Sequence, residues 1–175
     1  MVRRIALVTA ALVAAVFAYG AVTGPARRLP AAGALPQTIW PGAYHIHSTR
    51  SDGTATPEAI ARAAGRAGLR FVVVTDHGDA TRTPDPPRYI DGVLLIDGVE
   101  ISAQEGHVVA LGLSGAAPYP FGGEARDVVE DVKRLGGFGI AAHPDSPKPD
   151  LRWREWTAPF DGIERWVLQR LPAWL

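Results

Sequence analysis

Apolar and polar residues along the chain fall into two regimes. From residue 5 to residue 22 the sequence is uncharged and mostly apolar, behind Arg3 and Arg4. That is the layout of a secretory signal or a signal anchor, and it is just long enough to cross a bilayer as a helix. A Pro/Gly/Ala-rich stretch, "TGPARRLPAAGALP", follows it and reads as a linker. We therefore expect a signal or anchor over 1–24, a linker over 25–38 and a globular domain over 39–175. The small residues Ala18 and Gly20 offer only a poor cleavage site, so the cleaved and anchored forms both stay open. Either form places the remainder of the chain outside the cytoplasmic membrane, with the uncleaved form held to that membrane by its N-terminal helix.

Beyond residue 39 the pattern alternates between strand and helix signals. "AYHIH" is a short strand candidate. Thr56 then supplies a helix cap, with Pro57 at the first helical position and Glu58 near the positive end of the dipole. Ile60, Ala63, Ala64 and Ala67 are expected to share its apolar face, and Gly68 stops it. "RFVVVT" is a continuous β-branched run suited to a strand buried on both faces. After the proline-rich loop "TRTPDPP" come "VLLIDGVEI" and "HVVALGL", two strand candidates joined by "SAQEG", short enough for a hairpin. A second helix is expected over 124–135, with Val128, Val129, Val132 and Leu135 on one face, followed by the strand "FGIAA". Repeated strand, helix, strand units imply an α/β fold with a mostly parallel sheet or barrel. The sequence shows no internal repeat.

Charge and composition narrow the function. Lys+Arg and Asp+Glu both number 18, so no net field draws the chain to nucleic acid or an anionic surface. A nucleic-acid substrate would have to be held locally. With no cysteines, disulfides and thiolate zinc sites are excluded. There is no run of Lys/Arg interleaved with aromatics, and the tail tryptophans Trp153, Trp156, Trp166 and Trp174 read as packing or as an exposed unfinished core rather than as base-stacking platforms, which speaks against a single-strand binding module. Nothing calls for a protein partner.

The chemistry lies in the placement of the histidines, of which there are five. Side chains at i and i+2 of a strand share a face, so His45 and His47 project together and could hold one ion. His77 follows "FVVVTD" and His143 follows "FGIAA", at strand ends where α/β folds build sites. His107 precedes its strand, but the hairpin returns it beside Glu100. All the histidines thus converge on one rim, with Glu100 and Asp52 as carboxylates. Neutral imidazoles with one or two carboxylates and no thiolate suit zinc, manganese or iron.

These segments carry a family resemblance. "HIHSTRSDGTATPEAIARAAGRAGLRFVVVTDH", "GVEISAQEGHVVALG" and "AAHP" occur in order between residues 40 and 144. They resemble the polymerase-and-histidinol-phosphatase (PHP) superfamily of metal-dependent phosphoesterases, and most closely its stand-alone exonuclease and nucleotide-phosphatase branch. The resemblance implies a distorted barrel of seven strand-helix units, (β/α)7, with up to three divalent ions at its C-terminal rim. It implies that His45 and His47 bind a first ion, that Glu100 bridges this ion to a second completed by His107 and His143, and that Asp52 and His77 serve a third. Asp76 then either orients a ligand or caps its loop. Arg50, between ligands, either meets a phosphate oxygen or is a solvated surface arginine.

One element of the family pattern is absent. The late Asp-x-His that supplies further ligands does not occur, and after "FDGIER" the chain reads "WVLQRLPAWL". About 140 residues follow the signal, few for a closed barrel. The expectation is an incomplete PHP-type barrel in a truncated chain. The implied activity is hydrolysis of phosphomonoesters, or of terminal phosphodiesters in nucleotides or short single-stranded nucleic acid, with Mn or Zn as cofactor and Glu100 and Arg50 as the catalytic pair. Two alternatives stand beside it. One is a catalytically impaired fragment that binds metal weakly, and the other is an amidohydrolase-like metal hydrolase acting on a C–N bond.

Overall fold

The computed structural model describes residues 39–165, together with Leu12, Val13 and Ala15, which are helical. The rest of the expected signal or anchor and linker, and residues 166–175, lie outside the described residues. The chain divides into two compact units, Met1–Ile39 and Trp40–Leu175, and the second carries every named strand. Among the described residues no helix is long and apolar enough to cross a membrane.

The first half of this unit is a β1-β2-β4-β3 sheet covered by one helix. Strand β1 spans Gly42–Ile46, β2 Phe71–Val74, β3 Arg88–Ile90 and β4 Val93–Asp97. β1 and β4 flank β2 in parallel, and β3 is an antiparallel edge. Helix α1, Pro57–Arg66, crosses between β1 and β2. The Thr56 hydroxyl accepts the Ala59 N–H at 3.3 Å, and Pro57 opens the first turn, where a missing N–H costs nothing. Its buried face is Pro57, Ala61 and Ala64, with Ile60 partly covered. This differs from the expected face, since Ala63 and Ala67 are exposed. In a helix so rich in alanine the apolar stripe has more than one possible register, and the i, i+4, i+7 set beginning at Pro57 is the one that meets Val72 and Leu95.

The second half is a β5-β6-β7-β8 sheet packed on helix α2. β5 spans Val99–Ala103, β6 Gly106–Leu111, α2 Ala125–Arg134, β7 Phe138–Ala141 and β8 Gly162–Ile163. The expected hairpin is present: Ser102 pairs with His107 and Ala103 with Gly106. Val128, Val129 and Val132 of α2 are fully buried against the sheet, with Leu135 packed at the margin. The free N–H of Ala125 at the start of α2 is accepted by Glu105 at 2.9 Å, so the hairpin turn caps the helix.

A single residue, Gly98, separates β4 from β5, so the expected continuous strand "VLLIDGVEI" is two strands of two sheets. The Gly98 N–H still bonds the Val74 carbonyl at 2.8 Å, and Glu100 N–H bonds the Asp76 carbonyl at 3.1 Å. His77 and Glu100 form a parallel bridge there, which makes the sheets continuous at the joint. The α/β expectation holds in a mixed form. The pairs β3–β4, β5–β6 and β6–β7 are antiparallel, and the described residues from 40 to 165 hold two α-helices rather than seven strand-helix units. The hairpin at 103–106 leaves no length for a crossover helix, and parallel strands need one.

Candidate metal centre

Glu100 lies at the sheet joint and is 1% exposed. Its Oε1 is 2.8 Å from His107 Nδ1 and 2.7 Å from His143 Nε2. Its Oε2 is 2.9 Å from His47 Nε2, 3.2 Å from His45 Nε2 and 3.3 Å from His77 Nδ1. Every histidine in the chain therefore points a ring nitrogen at this one carboxylate.

Each arrives by a different local device. In β1, His45 takes a left-handed φ of 59° within a register shift between Ala43 and Ile46. The rings of His45 and His47 end stacked, with centroids 5.3 Å apart and planes 17° from parallel. The loop after His47 is fixed by Asp76, which accepts the Ser48 N–H at 2.7 Å, the Ser48 hydroxyl at 2.6 Å and the Ser51 hydroxyl at 2.8 Å. Burial pushes the Asp76 carboxyl up, but these donors outweigh it and hold it below its ordinary value. Of the two roles expected for Asp76, it is the loop that the residue organises. His107 reaches Glu100 diagonally across the hairpin, because Glu100 pairs in register with Val109. His143 follows β7 with a left-handed φ of 29°, and its Nδ1 lies 2.8 Å from the Leu151 carbonyl.

The hydrogen-bond arithmetic shows that the donors fit a cation. A carbonyl oxygen only accepts, so His143 Nδ1 carries the proton and Nε2 presents a lone pair to Glu100. His45 is held in the same way: Nδ1 is 2.5 Å from Glu164 Oε1 while Nε2 faces Glu100. His47 has Nδ1 at 2.6 Å from Asp52 Oδ1 and Nε2 toward Glu100. Three histidines thus meet acceptors at both ring nitrogens, and a neutral imidazole has one proton to give. Something positive must lie between Nε2 and the carboxylate, either a second proton or a metal ion. Without a metal the second proton takes that place at His45 and His143. Burial disfavours charged His45, but Glu100 and Glu164 reverse this and push its pKa up to about 9. His143 is raised in the same sense, burial opposing and Glu100 prevailing. Burial alone would raise the Glu100 carboxyl, but His107, His143 and His45 hold it far below the usual carboxylate range.

Three donor groups have ligand atoms within 4.8 Å of one another: His45, Glu100 and His143; His47, Asp52 and His77; and His77, Glu100 and His107. All seven expected ligands are brought together. Their grouping differs from the one the resemblance implied, since His45 and His47 fall in separate groups, and His107 and His143 are likewise divided. Arg50 does not present a free guanidinium. It is 2.5 Å from Asp85 and 3.3 Å from Asp97, an acidic pair placed by the loop before β3 and the end of β4. The cleft of about 440 Å³ beside His77 is bordered by Arg50, Arg82 and Asp85.

Glu164 was not among the expected residues. It follows β8, where its N–H bonds the Ala141 carbonyl at 3.0 Å, and its Oε2 accepts the His143 backbone N–H at 2.7 Å. The only signal for it in the sequence was a lone carboxylate after the two apolar-facing residues of "GIER", too short a run to read as a strand.

Searched against family models, the chain matches none. It is 31% identical over 134 residues to an uncharacterized protein of Methanocaldococcus jannaschii, an alignment covering 69% of this chain and 77% of that one. The chain belongs to the same family as this archaeal protein. It is also 32% identical over 83 residues to the phosphoribosyl 1,2-cyclic phosphate 1,2-diphosphodiesterase of Eggerthella lenta, covering 42% of this chain and 31% of that enzyme. Its fold is shared with the crystal structure of a protein from Bifidobacterium adolescentis assigned as a metal-dependent phosphoesterase, with a TM-score of 0.56 at 16% identity over 71% of this chain and 77% of that one.

Proposed function

We propose that this protein is a metal-dependent hydrolase of phosphoric esters, of the PHP type, acting on phosphomonoesters or on terminal phosphodiesters of nucleotides or short single-stranded nucleic acid. The observation that carries the reading is the Glu100 carboxylate within 3.3 Å of a ring nitrogen of every histidine. The likeness to a diphosphodiesterase over 83 residues, and a fold shared with a protein assigned as a phosphoesterase, support the choice of a phosphate ester over a C–N bond.

His45, His47, Asp52, His77, Glu100, His107 and His143 would hold the ions, manganese or zinc by donor type. When bound, such ions neutralise phosphoryl oxygens and bring the pKa of a water from about 15.7 toward 7. The chain's own part is positional. Glu100 supplies a buried negative charge shared by two donor groups. Leu151, Glu164 and Asp52 each fix which nitrogen of a histidine faces inward. Asp52, with its side chain 69% exposed, and His77, 39% exposed, mark the open edge where a phosphate ester enters. The cleft beside His77 gives the rest of the substrate room.

The test uses the purified full chain with added Mn²⁺, 5′-mononucleotides and short single strands. Release of phosphate or mononucleotide by the wild type, lost in His45→Ala and Glu100→Gln, is the expected result. Equal turnover by wild type and variants removes the assignment. Hydrolysis of amides with phosphate esters untouched transfers the site to C–N chemistry.

A further inference from the structure

Two histidines of the centre, His45 and His143, have left-handed backbones, at φ 59° and 29°. They come from β1 and from the second residue after β7, and no hydrogen bond joins them directly. Besides Glu100, which meets both at Nε2, a second side chain touches both from the other side. Glu164 Oε1 is 2.5 Å from His45 Nδ1, and Glu164 Oε2 accepts the His143 backbone N–H at 2.7 Å. The carboxylate itself is 6% exposed, so water does not compete for these bonds.

We propose that Glu164 is a positioning residue that ties these two strained histidines together, selecting the Nδ1–H form of His45 and holding both Nε2 atoms on Glu100. This rests on the metal-centre reading above and adds a residue to it. A left-handed φ in a residue other than glycine is unfavourable and persists only where the surroundings enforce it. Glu164 supplies that enforcement at both positions, and a carboxylate is the group that can do so. It offers an acceptor oxygen to each donor, whereas the equally sized glutamine offers one oxygen and one NH₂. With Gln at 164, either His45 loses the partner that fixes its ring or His143 faces a donor with its own N–H. Groups that orient a metal-bound histidine in this way typically change metal affinity by about 10- to 100-fold when removed.

The geometry also places Glu164 outside the ligand set. Its Oε1 lies on the Nδ1 side of His45, while the inward nitrogen that meets Glu100 is Nε2. Its effect should therefore pass through His45 and His143 rather than through direct contact with an ion.

Calorimetric titration of the full chain with Zn²⁺ provides the test, using wild type, Glu164→Gln, Glu164→Asp, His45→Ala and the His45→Ala/Glu164→Gln double variant. Long-range ¹H–¹⁵N spectra of the histidine rings in the zinc-loaded protein report which nitrogen is protonated. We expect Glu164→Gln to weaken the tightest site by about 10- to 100-fold, with far-UV circular dichroism unchanged and the Nδ1–H signature of one histidine lost. Glu164→Asp, which keeps both acceptors, should recover part of the affinity and carries the test if the glutamine variant fails to fold. In the double variant, Glu164→Gln should cost less than it does alone, because one of the two histidines it acts through is gone. Wild-type affinity and ring spectra in both Glu164 variants overturn the role of Glu164 and leave the metal centre standing. Absence of zinc binding by the wild type overturns the centre itself, and this proposal with it.

Discussion

Asp76 binds Ser48 twice, taking its backbone N–H at 2.7 Å and its hydroxyl at 2.6 Å. Ser48 is fully buried and sits one residue after His47, so the pair sets the exit direction of the chain from the centre. Asp76→Ala leaves the Ser48 N–H buried without an acceptor and should destabilise the fold by about 3 kcal/mol, the upper part of the range for a buried group stripped of its partner. Asp76→Asn, which keeps one acceptor, should cost less. Urea unfolding of the metal-free proteins measures both, and equal midpoints for wild type and Asp76→Ala would show that the loop holds itself.

Gly98 occupies the joint between the sheets because nothing larger fits. A Cβ there would overlap Leu111 Cδ2 and lie 2.9 Å from the Ala110 carbonyl. Gly98→Ala should therefore force β4 and β5 apart from β6 at a cost of about 1–3 kcal/mol, as overpacking typically does. The thermal midpoint and the zinc affinity should fall together, since Glu100 is two residues away. A variant with an unchanged midpoint would place slack at the joint.

Metal removal should be visible in stability. A ligand that binds only the native state at a hundredfold excess over Kd adds about 2.7 kcal/mol. For a domain of this size that raises Tm by roughly 10 °C. Melting with Zn²⁺ or Mn²⁺ against EDTA checks this, and coincident curves would count against a metal centre.

Acid stability should depend on Asp161. Its carboxylate accepts the Gly139 N–H at 3.0 Å and lies 3.1 Å from Lys133 Nζ. Burial pushes the group up, but Gly139 and Lys133 prevail and hold it below its ordinary 3.8. A carboxyl lower in the folded state than in the unfolded chain contributes fully above the unfolded value, and the contribution vanishes as pH falls through the folded one. The metal-free wild type should therefore lose stability faster than Asp161→Asn below about pH 4. Parallel urea midpoints for the two proteins in that range would exclude the link.

Much of the centre was legible because its ligands border short apolar runs. "FVVVTD" and "FGIAA" announced strands, and the residue after each is a histidine at the rim. His107 was legible through the hairpin, which depends only on the length of "SAQEG". The division of "VLLIDGVEI" was not, since apolar residues resume directly after Asp97-Gly98, and it is the neighbouring Leu111 and Ala110 that show why the chain must turn there. β3 was hidden behind a proline-rich loop and has three residues, too few to display alternation. The pairing of Arg50 with Asp85 and Asp97 joins positions 35 and 47 residues apart, which no local pattern reveals. The regrouping of His45 and His47 has a similar origin, because strand alternation assumes regular backbone and His45 breaks it.

The left-handed histidines set two demands against each other. At 45 and 143 the backbone would be most relaxed as glycine, and glycine carries no imidazole. A library of this protein selected only for resistance to heat or protease, with no reward for turnover, should accumulate glycine or asparagine at those two places. The positions that drift under such selection would trace the chemistry from the outside, without any substrate being known.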